Sequence, residues 1–149
     1  MNADRLASIG NLIARLTVGG ILIWYGSQKM LGAFGGHGFS ATVEAMGQRY
    51  GTLLATLSIL AEFFGSLALI FGFLTRLAAV GIAVNMFVAT SASLPDGGLM
   101  HALATGSVMD ANRALYPLAL GLSALAIAFT GAGAYSLDRK LFSKRSRRG

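Results

Sequence analysis

Residues 53–74 read LLATLSILAEFFGSLALIFGFL, an apolar run broken by a single charge, Glu62, near its middle. A helix of about 20 such residues spans the ~30 Å hydrocarbon core of a bilayer, whereas a soluble helix this apolar would have no polar face to show to water. Working outward, three more runs of the same kind appear, over about 12–31, 77–94 and 114–132. Together they predict an all-α, integral membrane four-helix bundle forming a single domain over 1–149, with a basic tail at 139–149. No polar linker or internal repeat divides the chain. Arg15 interrupts the first run and no small-x-small cleavage site follows it, so this run is expected to be a retained span rather than a signal peptide.

Composition agrees. Of 149 residues, 54% are hydrophobic and only 12% charged, about half the charge of an ordinary soluble domain. The net charge of +6 does not point to nucleic acid. Half of the basic residues are Arg139, Lys140, Lys144, Arg145, Arg147 and Arg148, just beyond the last apolar run, where topology signals and anionic lipid contacts are the common causes. With no cysteine in the chain, disulfides, thiol nucleophiles and dithiol exchange with a quinone are all excluded.

The connections differ in kind. A glycine-rich stretch, Gly32 to Gly38, followed by Phe39 to Gly51, joins the first two spans. A tight turn at Thr75-Arg76 joins the next two, and Pro95-Asp96-Gly97-Gly98 opens the segment leading to the fourth. Arg5, Arg15, Arg76 and the six tail residues collect on one side, against Lys29, Arg49 and Arg113 on the other. The richer side is predicted to be cytoplasmic, which puts both termini inside and the two longer loops outside.

Each span carries a stripe of small and polar residues: Arg15, Gly19, Leu22, Gly26 and Lys29; Ser58, Glu62, Gly65, Leu69 and Gly72; Ala78, Gly81, Asn85, Ala89 and Ala92; Pro117, Gly121, Ala124, Ala128 and Gly131. Spacings of three and four put each set on one helical face, and small residues on one face are how membrane helices approach closely. A bundle with a partly polar interior follows.

Four residues are candidates for chemistry: Glu62, Lys29, Arg76 and Asn85. An acid at mid-membrane costs at least ~2.5 kcal/mol on insertion scales, so Glu62 is expected to face the interior, protonated or paired. It serves as a hydrogen-bonded lock between helices, as part of a proton, ligand or redox site, or as a contact to another subunit. Lys29 either snorkels to the interface or turns inward to pair; with span centres aligned it sits ~12 Å above the bilayer middle, too far for direct contact with Glu62 unless the depths are shifted or a water bridges them. Arg76 reads as a turn and topology residue able to cap the last carbonyls of the second span. Asn85 reads as interhelical glue, and Trp24, Tyr25 and Tyr116 as an aromatic belt. The only histidines, His37 and His101, lie in loops with no metal-ligand spacing, so no metal site is expected.

Gly26-Ser27-Gln28-Lys29 with Gly35, Gly36 and Gly38, then Glu62 to Arg76 with Gly65, Leu69 and Gly72, then Thr130 to Gly133 with Ser136-Leu137-Asp138, resemble in order the motifs of the DoxX family. The resemblance implies a small four-span bacterial inner-membrane protein. It also implies an association with membrane oxidoreductase systems, with a partner oxidoreductase subunit, a quinone and no covalently bound cofactor. Lys29, Glu62 and Arg76 match its recurrent charged positions. Two positions depart from it: Tyr25, where many members have His, and Leu115-Tyr116, where many have an acid. If those groups serve an activity, this chain lacks it or performs it differently. Three readings stand: a redox-linked subunit, a non-catalytic assembly or structural subunit, and a small proton-coupled transporter. The last counts against itself the tight Thr75-Arg76 turn and the lack of a broken span. A homo-oligomer fits any of them.

Overall fold

The computed structural model describes residues 2–94, 98–104 and 108–142. Four long helices form the bundle: α1 (Ala3–Leu31), α3 (Thr52–Phe71), α4 (Thr75–Ala92) and α6 (Val108–Thr130). All four are long and apolar enough to cross a membrane. Three shorter helices complete the described chain: α2 (Gly38–Tyr50), α5 (Gly98–Ala104) and α7 (Leu137–Phe142), with one 3-10 turn at Ala33–Gly35. The expected all-α membrane bundle is what forms. Pro95, Asp96, Gly97 and the tail residues Lys144, Arg145, Arg147 and Arg148 lie outside the described residues.

The distribution of side chains suits lipid rather than water. Leu53, Leu77 and Phe129 are 70% exposed or more, while Arg15 and Glu62 are at most 3% exposed. In water both choices would be unfavourable; in hydrocarbon, charged groups turn inward and apolar ones outward. α1 packs on α3, α4 packs on α6, α3 joins the pairs through α4, and the α1–α6 seam has the sparsest contact.

Helix ends differ from the expected spans in two ways. α1 begins nine residues before position 12, because the polar first turns with Asp4 and Arg5 continue the same helix. The turn between α3 and α4 is Gly72 to Leu74, not Thr75-Arg76, which already belong to α4. Gly72 ends α3 at φ 69°, and Phe73 N–H donates to the Ala68 carbonyl at 2.9 Å, the 6→1 bond of a Schellman motif. Leu74 is left-handed as well, at φ 47°. This unusual turn is held from outside, because the Asp138 carboxylate accepts from Leu74 N–H at 2.7 Å and Thr75 N–H at 2.9 Å.

Residues 39–51 read as a connection; most of them form α2, which packs against α3 and α1. After Leu31 the chain folds back so tightly that Gly36 lies directly on the backbone of Gln28. The third stripe is also rotated from its expected position. Gly81 is exposed with open space around it, and Ala79, Ile82, Ala83 and Met86 form the buried face. α4 needs two contact faces, towards α3 and towards α6, so the small-residue pattern alone misplaces its centre. The stripes of α1, α3 and α6 coincide with their buried faces.

Candidate functional site

Two glycines set the register of α1 against α3. A Cβ on Gly19 would meet Ile70 Cγ1 at 2.8 Å, and one on Gly26 would meet Phe63 Cα at 2.9 Å. The backbones therefore touch, and Gly26 stands level with Glu62 and Phe63. Lys29 is then only three residues further along α1, or about 4.5 Å of rise, within reach of its long side chain. Lys29 Nζ donates to both Glu62 carboxylate oxygens, at 2.7 Å to Oε1 and 2.6 Å to Oε2. Of the two readings of Lys29, the inward, paired one is what forms, and the depths are shifted. Aligned span centres are the wrong reference, because close glycine packing staggers the helices.

Asn85 on α4 donates its Nδ2 to Glu62 Oε1 at 3.1 Å, and Ser66 Oγ bonds the Glu62 carbonyl. Three helices thus meet at one carboxylate. Exposure is unequal: the Glu62 side chain is 4% exposed and that of Lys29 30%. The carboxylate is a buried counter-ion, and the lysine side chain is the partly exposed member of the pair. Four residues before Lys29, on the same face of α1, Tyr25 meets Tyr116 of α6 edge-on, ring centroids 6.1 Å apart. Beside Tyr116 lies an open recess of about 910 Å³ lined by Met109, Asn112, Arg113 and Leu115. The Tyr25–Tyr116 contact thus bridges α1 and α6 about one helical turn from Lys29. Trp24 does not join them; it stacks on Phe34, centroids 3.9 Å apart, and fastens the glycine-rich turn.

Arg76 does not join the site either. Its guanidinium lies over Gly131, at the end of α6, with Nε 3.1 Å from where a Cβ there would stand. The carbonyls at the end of α3, which on the sequence alone Arg76 is able to cap, are taken by Arg15. Its Nε donates to the Leu69 carbonyl at 2.9 Å and its Nη2 to that of Ile70 at 3.4 Å. Both Nη atoms reach the Tyr135 carbonyl at 3.1 Å, and Nη1 also bonds that of Ala132. The site is tight: a Cβ on Gly72 would stand 2.7 Å from Arg15 Nη2. A cation at the negative end of a helix is favourable, and this one joins α1, α3 and the segment after α6. A charge inside the first apolar run, sharing the glycine face, was the available signal. Its partners are main-chain carbonyls, which no sequence pattern distinguishes.

Arg15, Gly133 and Ser136 belong to the same end of the bundle, where Gly133 lies against Asn11 and the Ser8 carbonyl. The two ends of the described chain therefore share one side. His37 and His101 belong to no group of three or more metal-ligating side chains among the described residues.

Comparison with known proteins gives a consistent picture. The family model DoxX matches residues 10–95, more than half of the chain. The chain is 35% identical over 142 residues to the inner membrane protein YqjF of Escherichia coli (strain K12), a match covering 94% of this chain and 98% of that protein. No solved structure matches.

Proposed function

The chain belongs to the DoxX family of integral membrane proteins, and from that premise we propose that it is an accessory subunit of a quinone-linked oxidoreductase system in the bacterial inner membrane, with both termini cytoplasmic. The observation that carries this reading is the Lys29–Glu62–Asn85 cluster: a buried carboxylate whose lysine partner keeps a side chain 30% exposed. An intramembrane ion pair open on one member suits proton handling. Without cysteine or a histidine-rich cluster in its sequence, the chain is assigned protons, and a partner subunit the electrons.

A quinone taking two electrons needs two protons to become the quinol, one on each oxygen. Tyr25 and Tyr116 offer hydroxyl donors and ring faces at the lipid-facing seam, next to a recess of adequate size. Lys29, held by Glu62, presents the proton at Nζ and recovers one from water on the outer side. Glu62 keeps the ammonium in place during this exchange, and Asn85 fixes the carboxylate.

Gentle purification followed by identification of co-purifying proteins and quinones supplies the partner. In that complex Glu62→Gln is expected to abolish quinone reduction while assembly stays normal. Unchanged turnover in the assembled variant would remove the proton role.

The alternative with an observation in its favour is a non-catalytic assembly or structural subunit. Arg15 and Glu62 are both fully occupied by internal partners, an arrangement that holds helices together without chemistry. It predicts partner retention that depends on the helix faces or the tail, with the pure protein inert in liposomes. Substrate-driven proton flux in those liposomes would instead favour a transporter.

A further inference from the structure

On the lipid-facing side, between α3 and α4, runs an apolar groove of about 740 Å³. Its floor is made of small residues, among them Gly65 and Ala78, so the two helices leave a channel where larger side chains would have filled it. It extends on α3 from Ala61 to Phe71 and, from Leu74 of the turn, along α4 to Gly81. Ten residues of helix cover about 15 Å, half of a ~30 Å hydrocarbon core. The groove therefore occupies one leaflet and stops near the middle of the membrane. Leu137, the first residue of α7, lines its mouth, on the side of the chain termini.

Two cations follow on the same short helix. Arg139 and Lys140 come two and three residues after Leu137, both are exposed, and neither has an acidic partner among the described residues. On a helix Lys140 shares the face of Leu137, three residues before it. The nearby acid, Asp138, is already engaged by the Leu74 and Thr75 N–H groups. We propose that this groove is a binding site for an anionic phospholipid of the leaflet nearest the chain termini: its acyl chain lies between α3 and α4, and its phosphate meets Arg139 and Lys140. A groove one leaflet deep, with cations on the short helix that lines its mouth, fits a lipid. A helix from a second copy would need a face running the full span, and on the far half of α3 the short helix α2 occupies part of the surface.

Gly81 makes the proposal testable, because nothing lies within 4 Å of a Cβ built there. Gly81→Leu fills the groove without disturbing the bundle or any charge, including those of the tail. The probe is the full chain in nanodiscs of equal phosphatidylglycerol and phosphatidylcholine, released for native mass spectrometry. The wild type is expected to retain one phosphatidylglycerol in preference to phosphatidylcholine. Gly81→Leu and Arg139→Gln/Lys140→Gln are each expected to lower that retention by about tenfold or more, with unchanged melting temperature. Equal retention of both lipids, or retention of phosphatidylglycerol that Gly81→Leu does not alter, would overturn the proposal. So would a wild-type dimer that Gly81→Leu converts to monomer with no lipid retained, since a second copy would then fill the groove.

Discussion

The main chain of Phe63 lies 2.9 Å from where a Cβ on Gly26 would stand, and this contact brings Lys29 to Glu62. One missing methyl group thus sets the register of two helices and, through it, the chemistry at their interface. In lipid, where apolar burial provides no force between helices, such close approach is the main source of packing energy.

Gly26→Val is therefore expected to push α1 from α3 and destabilise the protein by about 3 kcal/mol or more. Gly20→Val, at a position with nothing within 4 Å, is expected to change stability by no more than ~0.5 kcal/mol. Thermal unfolding of both variants in mild detergent, followed by circular dichroism, makes the comparison.

Removing one partner of the buried pair leaves a charge behind. Lys29→Met should cost about 3–5 kcal/mol, and the double variant Lys29→Met/Glu62→Gln should recover most of it. Asn85→Ala removes one hydrogen bond and should cost only about 1 kcal/mol. A double-mutant cycle on unfolding free energies tests all three, and a simple sum of the single effects would argue against direct coupling of Lys29 and Glu62.

Arg15 makes planar, divergent bonds to four carbonyl groups. A lysine carries the charge but not the fork, so Arg15→Lys should still lower the melting temperature, with Arg15→Met lowering it further. Equal stability of Arg15→Lys and wild type would mean that charge alone matters.

Asp138 caps α4 from outside the helix. Asp138→Ala exposes two N–H donors and should cost about 1–2 kcal/mol, with hydrogen exchange accelerated first at Leu74 and Thr75. Asp138→Asn keeps one acceptor and should retain about half of that stability.

Because the chain has no cysteine, single cysteines report topology without background. Arg139→Cys in intact cells is expected to resist a membrane-impermeant maleimide, and His37→Cys to react. The reverse pattern would invert the proposed orientation.

Much of this was legible before any coordinates. The four apolar runs are long enough that only a membrane bundle can accommodate them, and Glu62 stood out because a mid-membrane acid needs a partner. The interfaces of α1, α3 and α6 followed from their stripes for the same reason: small and polar residues in lipid mark contact. The turn at Gly72 and the helix in 38–50 were harder to read. A glycine can end a helix or pack within one, and α2 carries too few apolar residues to distinguish it from a loop.

The sequence by itself determined what must be embedded and which charge had to be hidden, because hydropathy and helical spacing are local properties that each segment carries alone. Only the tertiary structure decided who meets whom: Lys29 rather than water for Glu62, Arg15 rather than Arg76 at the end of α3, and Tyr25 against Tyr116. Those pairings depend on the relative sliding and rotation of helices by a few ångströms, and on main-chain carbonyls that are identical at every position in the chain.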